Sequence, residues 1–188
     1  MLNEQIADLT QPQRDRLAFI ELRVRFFGEI RRQELVTRFG IQAAAATRDI
    51  AQYKEMAPRN MEYDTKGKVY VRSSWFRPLF DFPAERVLTW LSPGYGDGEP
   101  IRWKSTVAQE GTGLPGNLNL EILSVLTRAI HRGAAVEVAY RALSSGLTNR
   151  EIVPFALADS GLRWHVRAFD RRSGEFRDFV LGRLDDAR

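Results

Sequence analysis

Side chains that commonly carry out catalysis are scarce in this chain of 188 residues. It contains no cysteine and two histidines, His131 and His165, and no HxxxH or HExxH spacing. Cysteine catalysis, disulfides and thiolate zinc sites are therefore excluded, and a histidine-rich metal site is not expected. An enzyme acting on nucleotides would need a general base and usually a metal, and no tight carboxylate pair lies near His165. We expect no enzyme, no metal and no cofactor.

Side chains suited to reading DNA lie in residues 31–71. A helix predicted over residues 42–56 carries several long or polar groups, which are Thr47, Arg48, Gln52 and Lys54. Arg48 could pair bidentately with a guanine edge, or Arg48 or Asp49 could instead pair within the domain. Alanines at residues 43–46 would stabilise an exposed helix, or would let the helix lie deep in the major groove.

The spacing of apolar residues predicts how this helix is positioned. Leu35 and Phe39 lie four residues apart, which favours a short helix over residues 31–39. Gly40 is a natural end for it, because glycine adopts the left-handed conformation cheaply. The helix over residues 42–56 follows after so short a turn that the two must cross steeply, as in a helix-turn-helix.

A hairpin and the charge distribution strengthen the DNA-binding interpretation. Extended runs at residues 61–64 and 69–71 flank a basic turn, in the position of a wing. Residues 1–80 hold 14 of the 28 basic residues but 10 of the 24 acidic ones, so the whole excess of +4 lies there. A positive face attracts the phosphate backbone. Two ordinary helices and a hairpin are the alternative. The predicted DNA-binding residues are Arg31, Gln42, Ala43, Ala44, Thr47, Arg48, Gln52, Lys66 and Lys68.

The residues on either side of this region predict further helices. An apolar stripe predicts a first helix over residues 13–27, formed by Leu17, Ile20, Val24 and Phe27. Four arginines fall mostly off that stripe, namely Arg14, Arg16, Arg23 and Arg25. Most of them are expected on a solvated face, and one or two could touch phosphate, because the first helix of such a domain often lies near the DNA backbone. An aromatic linker over residues 73–83 must pack on something. A helix over residues 84–91, a glycine-rich loop over residues 92–100 and a helix over residues 119–131 follow.

From residue 134 the apolar period changes to two, which predicts antiparallel strands. The predicted strands cover residues 136–141, 150–157, 162–169 and 175–184. The predicted turns between them cover residues 143–149, 159–161 and 171–174. Short strands at this regular spacing indicate a small barrel or a strongly bent sheet, so the chain as a whole belongs to the α+β class.

The third predicted strand separates two sets of side chains. One face suits a core and carries Leu162, Trp164, Val166 and Ala168. The opposite face could hold an anion and carries Arg163, His165, Arg167 and Phe169. His165 has an alternative role as a polar strand residue with a local partner.

The run AVEVAYRALSSGLTNREIVPFALADSGLRWHVRAFDRRSGEFRDFVLGRL resembles a WYL domain, with Trp164-His165-Val166 at the signature position, so that only its tryptophan is kept. RWHVRAF followed by FRDF resembles the WYL repressors of the CapW and BrxR type, found beside bacterial phage-defence operons. RFGIQAAAATRDIAQY and APRNMEYDTKGKVY resemble their winged helix-turn-helix.

This resemblance implies a homodimeric repressor whose small Sm-like barrel senses a nucleotide or single-stranded nucleic-acid effector. The matching effector-binding positions are Tyr140, Ser144, Ser145, Arg150, His165, Arg167 and Arg177. Two departures are visible. The family's second reading helix usually opens with serine and carries glutamine, where this chain has Gln42 and Ala45. The family's C-terminal extension domain is also expected to be missing after Arg188.

These observations predict a winged helix-turn-helix in residues 1–80, a helical linker that supports dimerisation in residues 81–132, and a WYL sensor in residues 133–188. The main prediction is a cytoplasmic repressor that binds double-stranded operator DNA at an inverted repeat. An activator of the same architecture is the first alternative, and an RNA-binding protein is another. The sequence predicts no membrane-spanning segment.

Overall fold

The computed structural model describes residues 6, 8–91, 107–109 and 118–188. The chain divides into two compact units, Met1–Asp81 and Phe82–Arg188, called here the N-terminal and C-terminal units. Among the described residues, no helix is both long and apolar enough to cross a membrane. The predicted loop over residues 92–100 lies outside the described residues.

In its described residues from Gln11 onward, the N-terminal unit combines three helices with a small sheet. Its helices are α1 (Gln11–Phe26), α2 (Arg32–Phe39) and α3 (Ala43–Met56). Its strands are β1 (Glu29–Ile30), β2 (Met61–Asp64) and β3 (Val69–Arg72), in the antiparallel order β1-β3-β2. Gly40 ends α2 with φ 62°, which confirms the predicted stop. The hairpin was predicted from the sequence but β1 was not, since two residues are too few to show a period.

The arginines of α1 correct one expectation. Arg23 and Arg25 are 2% and 5% exposed, so the prediction that they lie on a solvated face is wrong. Arg23 Nη2 lies 2.6 Å from Glu34 Oε1, and its guanidinium lies over the Phe27 ring. Arg16 Nε donates to Asp49 Oδ2 at 2.7 Å. Apolar periodicity misses these arginines, because ion pairs and ring contacts make their burial possible.

A buried carboxylate joins three parts of this unit. Glu21 of α1 is fully buried, and its Oε2 accepts hydrogen bonds from the Tyr53 hydroxyl of α3 at 3.0 Å and from Leu79 N at 2.7 Å. Its Oε1 accepts from Phe80 N at 2.9 Å. Burial raises the pKa of Glu21, while these bonds oppose the shift. Asn60 Nδ2 donates to the Tyr53 oxygen at 2.9 Å and extends the network.

The aromatic linker packs as predicted except at one residue. Phe76, Leu79, Phe80 and Phe82 are buried. Asn60 holds the Arg77 backbone from both sides, accepting from its N–H at 2.9 Å and donating to its carbonyl at 2.7 Å. Trp75 is 69% exposed, so the expectation that the whole linker is packed is wrong there.

The C-terminal unit contains helices and a bent sheet. Its helices are α4 (Ala84–Leu91) and α5 (Leu120–Arg132), with a 3-10 turn at Leu181–Arg183. Its strands are β4 (Val107–Gln109), β5 (Val136–Ala142), β6 (Gly146–Asp159), β7 (Trp164–Asp170), β8 (Glu175–Val180) and β9 (Leu184–Ala187). Asn119 Oδ1 accepts from Glu121 N at 2.9 Å and Gly133 ends α5 with φ 64°, as the sequence predicts.

The sheet has the order β8-β7-β6-β5-β9, all antiparallel, and β4 pairs with β6 in parallel. The consecutive β8 and β9 stand at opposite ends of this order, as a strongly bent sheet allows. A register shift between Pro154 and Ala156 interrupts the long strand β6. Such a bulge bends the strand that contains it.

Three strand predictions need correction. The turn predicted over residues 143–149 is shorter, since β6 begins at Gly146 with φ 66°. The fourth predicted strand is two strands, separated by the 3-10 turn and paired with different neighbours. Leu162 is 84% exposed, because it lies in the bend before β7 and not on the core face.

Candidate nucleic-acid interface and effector site

The exposed face of α3 carries the predicted base-reading residues. Ala46, Ile50 and Tyr53 turn one side of the helix into the core. The opposite side exposes Ala43, Ala44, Thr47 and Arg48, whereas Gln52 is half-buried. Thr47 Oγ1 donates to the Ala43 carbonyl at 2.9 Å. Gln42 occupies the N-cap position without a side-chain capping bond.

Arg48 and Asp49 have different roles. The Asp49 carboxylate accepts from Arg16 Nε at 2.7 Å and is 5% exposed. Arg48 is exposed, and within the described part of the chain its guanidinium makes no ion pair. Asp49 is therefore the residue that pairs inside the domain, while Arg48 is available to a ligand.

The wing presents two exposed lysines, Lys66 and Lys68. Lys68 has φ 51°, in the left-handed region that residues other than glycine rarely adopt, so the turn has a demanding backbone at this residue. Asp64 Oδ1 accepts from Lys66 N at 3.0 Å. Arg31 Nη1 donates to the Gly67 carbonyl at 2.7 Å and so joins the start of α2 to the wing.

The predicted effector residues do not share one face of the sheet. His165 and Arg167 lie opposite the buried Trp164, as predicted. Arg177 pairs with Ala168, which is fully buried, so the register puts Arg177 on the face opposite Arg167. The expectation that Arg177 joins Arg167 in one cluster is wrong, because alternation within one strand does not give the register of its neighbour.

Arg150 and Tyr140 lie on the core side of the sheet. Arg150 Nη1 donates to Asp170 Oδ2 at 2.6 Å, and its Nε donates to Thr148 Oγ1 at 3.1 Å. Asp170 is fully buried; burial opposes its ionisation, but the Arg150 bond and the Arg172 N–H hold its pKa below the ordinary value. Tyr140 is 9% exposed and packs edge-on against Phe179. Asp170 was not predicted from the sequence, because it lies at the end of a strand, where the period gives no signal.

The remaining effector candidates are exposed or half-buried. Arg167 Nε lies 3.3 Å from Asp178 Oδ1, with both side chains about half exposed. Arg177 donates to Ser173 and to Glu175. Ser144, Ser145 and His165 complete the set: the two serines are exposed in the β5–β6 turn, and His165 is half-buried.

An aromatic cluster beside Arg167 was not predicted. Phe176 lies edge-on to Phe155 at 5.7 Å and to Phe169 at 5.4 Å between ring centroids. Phe155 is 49% exposed and Phe176 is 74% exposed. Phe169 and Phe176 are direct partners across β7 and β8, so their contact would follow from the sequence once the register is known.

Two family models match the chain, one in each half. Residues 12–93 match the BrxR transcriptional regulator winged helix-turn-helix domain, and residues 121–188 match the WYL domain. These matches confirm the resemblance and the α+β architecture proposed from the sequence.

Similar curated proteins are named DNA-binding transcriptional repressor CapW. The chain is 34% identical over 182 residues to the one from Escherichia coli (strain KTE188), which covers 93% of this chain and 60% of that protein. It is 38% identical over 179 residues to the Pseudomonas aeruginosa protein, with 92% and 60% covered. The chain thus spans about three fifths of the length of these relatives. Their names describe regulators and not enzymes.

A solved structure, proteasome accessory factor B/C of Arthrobacter aurescens, is 20% identical. It matches with a TM-score of 0.37 over 93% of this chain and 32% of that one. This likeness is too weak to support a structural comparison.

Proposed function

Since the chain belongs to the proteins that join a BrxR winged helix-turn-helix domain to a WYL domain, we propose that it is a DNA-binding transcriptional repressor. The observation that carries the proposal is the exposed face of α3, where Arg48 projects free of ion pairs in the described structure and small alanines surround it. Small side chains permit close approach to base edges, and arginine is the commonest specific partner of guanine. The exposed wing lysines add attraction to phosphate.

The proposed repressor acts as a homodimer on an inverted repeat upstream of a phage-defence operon. Two-fold proteins read two-fold operators, because each subunit presents the same recognition helix to one half-site. Sedimentation at micromolar concentration tests the dimer, whose predicted contact region is the helical linker over residues 81–132. A clean monomer of 21.5 kDa would contradict it. Footprinting on the DNA upstream of the chain's own gene tests the operator.

We expect Arg48→Ala to weaken cognate binding by about 1–3 kcal/mol if Arg48 reads a base. Binding to random duplex should change little, so that the ratio of specific to random affinity falls. Fluorescence anisotropy with both duplexes measures this ratio. Arg59→Ala is the matched control, since it removes the same charge from an exposed residue at the base of the wing. An unchanged ratio in Arg48→Ala would rule out base reading.

The second part of the proposal is effector sensing by the C-terminal unit. His165 and Arg167 lie on the face of β7 opposite the core, and the guanidinium of Arg167 suits phosphate because its planar fork donates two bonds. Asp178 would have to share or release Arg167 when a phosphate binds. Arg150 would support the site from the core side through Asp170. The effector must bind one dimer geometry more tightly, since equal affinity for both shifts nothing.

The Arg167→Ala variant should bind the operator as tightly as the wild type does. It should no longer release the operator when the effector is added. The measurement is operator affinity with and without short single-stranded oligonucleotides or cyclic nucleotides, for wild type and variant. Arg171→Ala is the control, because Arg171 is equally exposed and is likewise paired, with Glu151. If the wild type responds to none of these probes, the effector class is wrong. If Arg167→Ala responds like the wild type, the site is wrong.

Activation and RNA binding are the alternatives. A reporter fused to the operator distinguishes repression from activation by the sign of the change when the gene is deleted. Preference for single-stranded RNA over operator duplex, at matched salt, would favour the RNA-binding alternative.

A further inference from the structure

We propose that Arg31 acts on DNA through the wing, as a positioning residue that fixes the tip carrying Lys66 and Lys68. The inference rests on the proposed DNA-binding function and deepens it. Arg31 is one of the residues predicted from the sequence to bind DNA. The geometry assigns it a different role.

The donors of the Arg31 side chain are directed at the protein. Nη1 donates to the Gly67 carbonyl at 2.7 Å, across 36 residues of sequence. Nη2 lies 3.8 Å from Glu29 Oε1. A guanidinium that donates to a carbonyl and lies near a carboxylate has fewer donors left for a phosphate than Arg48, for which the described structure shows no ion pair.

The Arg31 backbone is anchored to the buried part of the N-terminal unit. Its N–H donates to Glu34 Oε2 at 2.6 Å, and Glu34 Oε1 lies 2.6 Å from Nη2 of the buried Arg23. The residues just before Arg31 form β1, in which Glu29 pairs with Val71. Arg31 therefore reaches the wing from a fixed base and not from a mobile loop.

The wing tip needs such a support. The strand pairing ends where Asp64 pairs with Val69. Beyond it, the turn is held by the hydrogen bond from Lys66 N to Asp64 Oδ1 and by the one from Arg31 to the Gly67 carbonyl. Lys68 has a left-handed backbone that lysine adopts reluctantly, so without support the turn would sample other conformations. Each such conformation moves the lysine side chains relative to α3. Losing the Arg31 bond should therefore reduce the contribution of both lysines to DNA binding.

A double-mutant cycle tests this role. The variants are Arg31→Ala, the pair Lys66→Ala with Lys68→Ala, and all three together, with Arg59→Ala as a control for loss of one positive charge. Affinity for a random duplex is measured over a salt series, and circular dichroism checks folding. Arg31→Gln takes the place of Arg31→Ala if the alanine variant is unfolded.

If Arg31 positions the wing, Arg31→Ala weakens binding about five-fold in the wild type and leaves affinity and salt slope unchanged once both lysines are absent. If Arg31 contacts phosphate itself, it weakens binding by the same factor in both backgrounds, and the salt slope falls by about 1 each time. That second result overturns the inference while leaving the proposed function intact. A wild type that binds no duplex overturns the proposed function and the inference together.

Discussion

Glu21→Ala is expected to destabilise the N-terminal unit by about 2–5 kcal/mol. Three buried donors lose their acceptor: the Tyr53 hydroxyl and the N–H groups of Leu79 and Phe80. Each unsatisfied buried group costs about 1–3 kcal/mol, and part of that cost is offset because the variant no longer buries a carboxylate. Urea unfolding, followed by region-resolved hydrogen exchange, measures the change. Glu55→Ala, at an exposed site on α3, should stay within about 0.5 kcal/mol of the wild type.

Glu21→Gln separates the charge from the hydrogen bonds. Its amide oxygen can still accept, but its NH₂ would face an N–H donor, so we expect a loss between those of wild type and Glu21→Ala. Burial raises the folded pKa of Glu21 above its ordinary value. The contribution of Glu21 to the free energy of unfolding is therefore greatest below its unfolded pKa and falls as pH rises through its folded pKa. The difference in free energy of unfolding between the wild type and Glu21→Gln should become smaller over that pH range. An advantage that grows with pH would contradict this.

Asp170→Ala should destabilise the C-terminal unit by about 3–5 kcal/mol, because it leaves the Arg150 guanidinium without its anionic partner. Asp170 is fully buried and the Arg150 side chain is 13% exposed, so water compensates little. The matched control is Asp178→Ala, which breaks the exposed pair with Arg167 and should cost about 0–1 kcal/mol. Chemical unfolding of both variants gives the comparison. Equal effects would mean that the buried pair contributes no more than a surface pair.

Acid should affect Asp170 in the direction opposite to Glu21. Burial is the largest single influence on the pKa of Asp170 and raises it, but the hydrogen bonds from Arg150, the Arg172 N–H and Ser173, with the charge of Arg150, together lower it in the folded chain. The stability that this carboxylate supplies is present above its unfolded pKa and is lost as pH falls through the folded pKa. In the wild type, the strands around Asp170 should therefore open more readily at low pH than at neutral pH. Hydrogen exchange measures this opening as a loss of amide protection. A response to acid that is unchanged in Asp170→Ala would contradict this assignment.

The elements that the sequence predicted best are those with a local cause. Gly40 and Gly133 end helices because of their own backbone freedom, and Asn119 caps α5 with its own side chain. The hairpin turn around Lys66 follows from the residues in it. Such signals need no knowledge of distant parts of the chain.

The features that the sequence could not provide depend on distant partners. Arg23 and Arg25 are hydrophilic residues whose burial depends on partners such as Glu34, which no periodicity reveals. Arg177 was grouped with Arg167 because the alternation of each strand was known but the register between them was not. For the face of α3 proposed to read DNA, the sequence predicted the helix and most of its exposed residues, but not that Asp49 rather than Arg48 is paired inside the domain.

The two strands at the ends of the sheet have a consequence for how copies of this protein behave in concentrated solution. Among the described residues, β8 and β9 each pair on one side only, so their other backbone edges could accept a strand from another molecule. Both carry charges that discourage such pairing, with Asp185 and Asp186 on β9 and Arg177 and Asp178 on β8. Replacing the two aspartates of β9 with valine should make the protein more prone to aggregate, although no core contact would have changed.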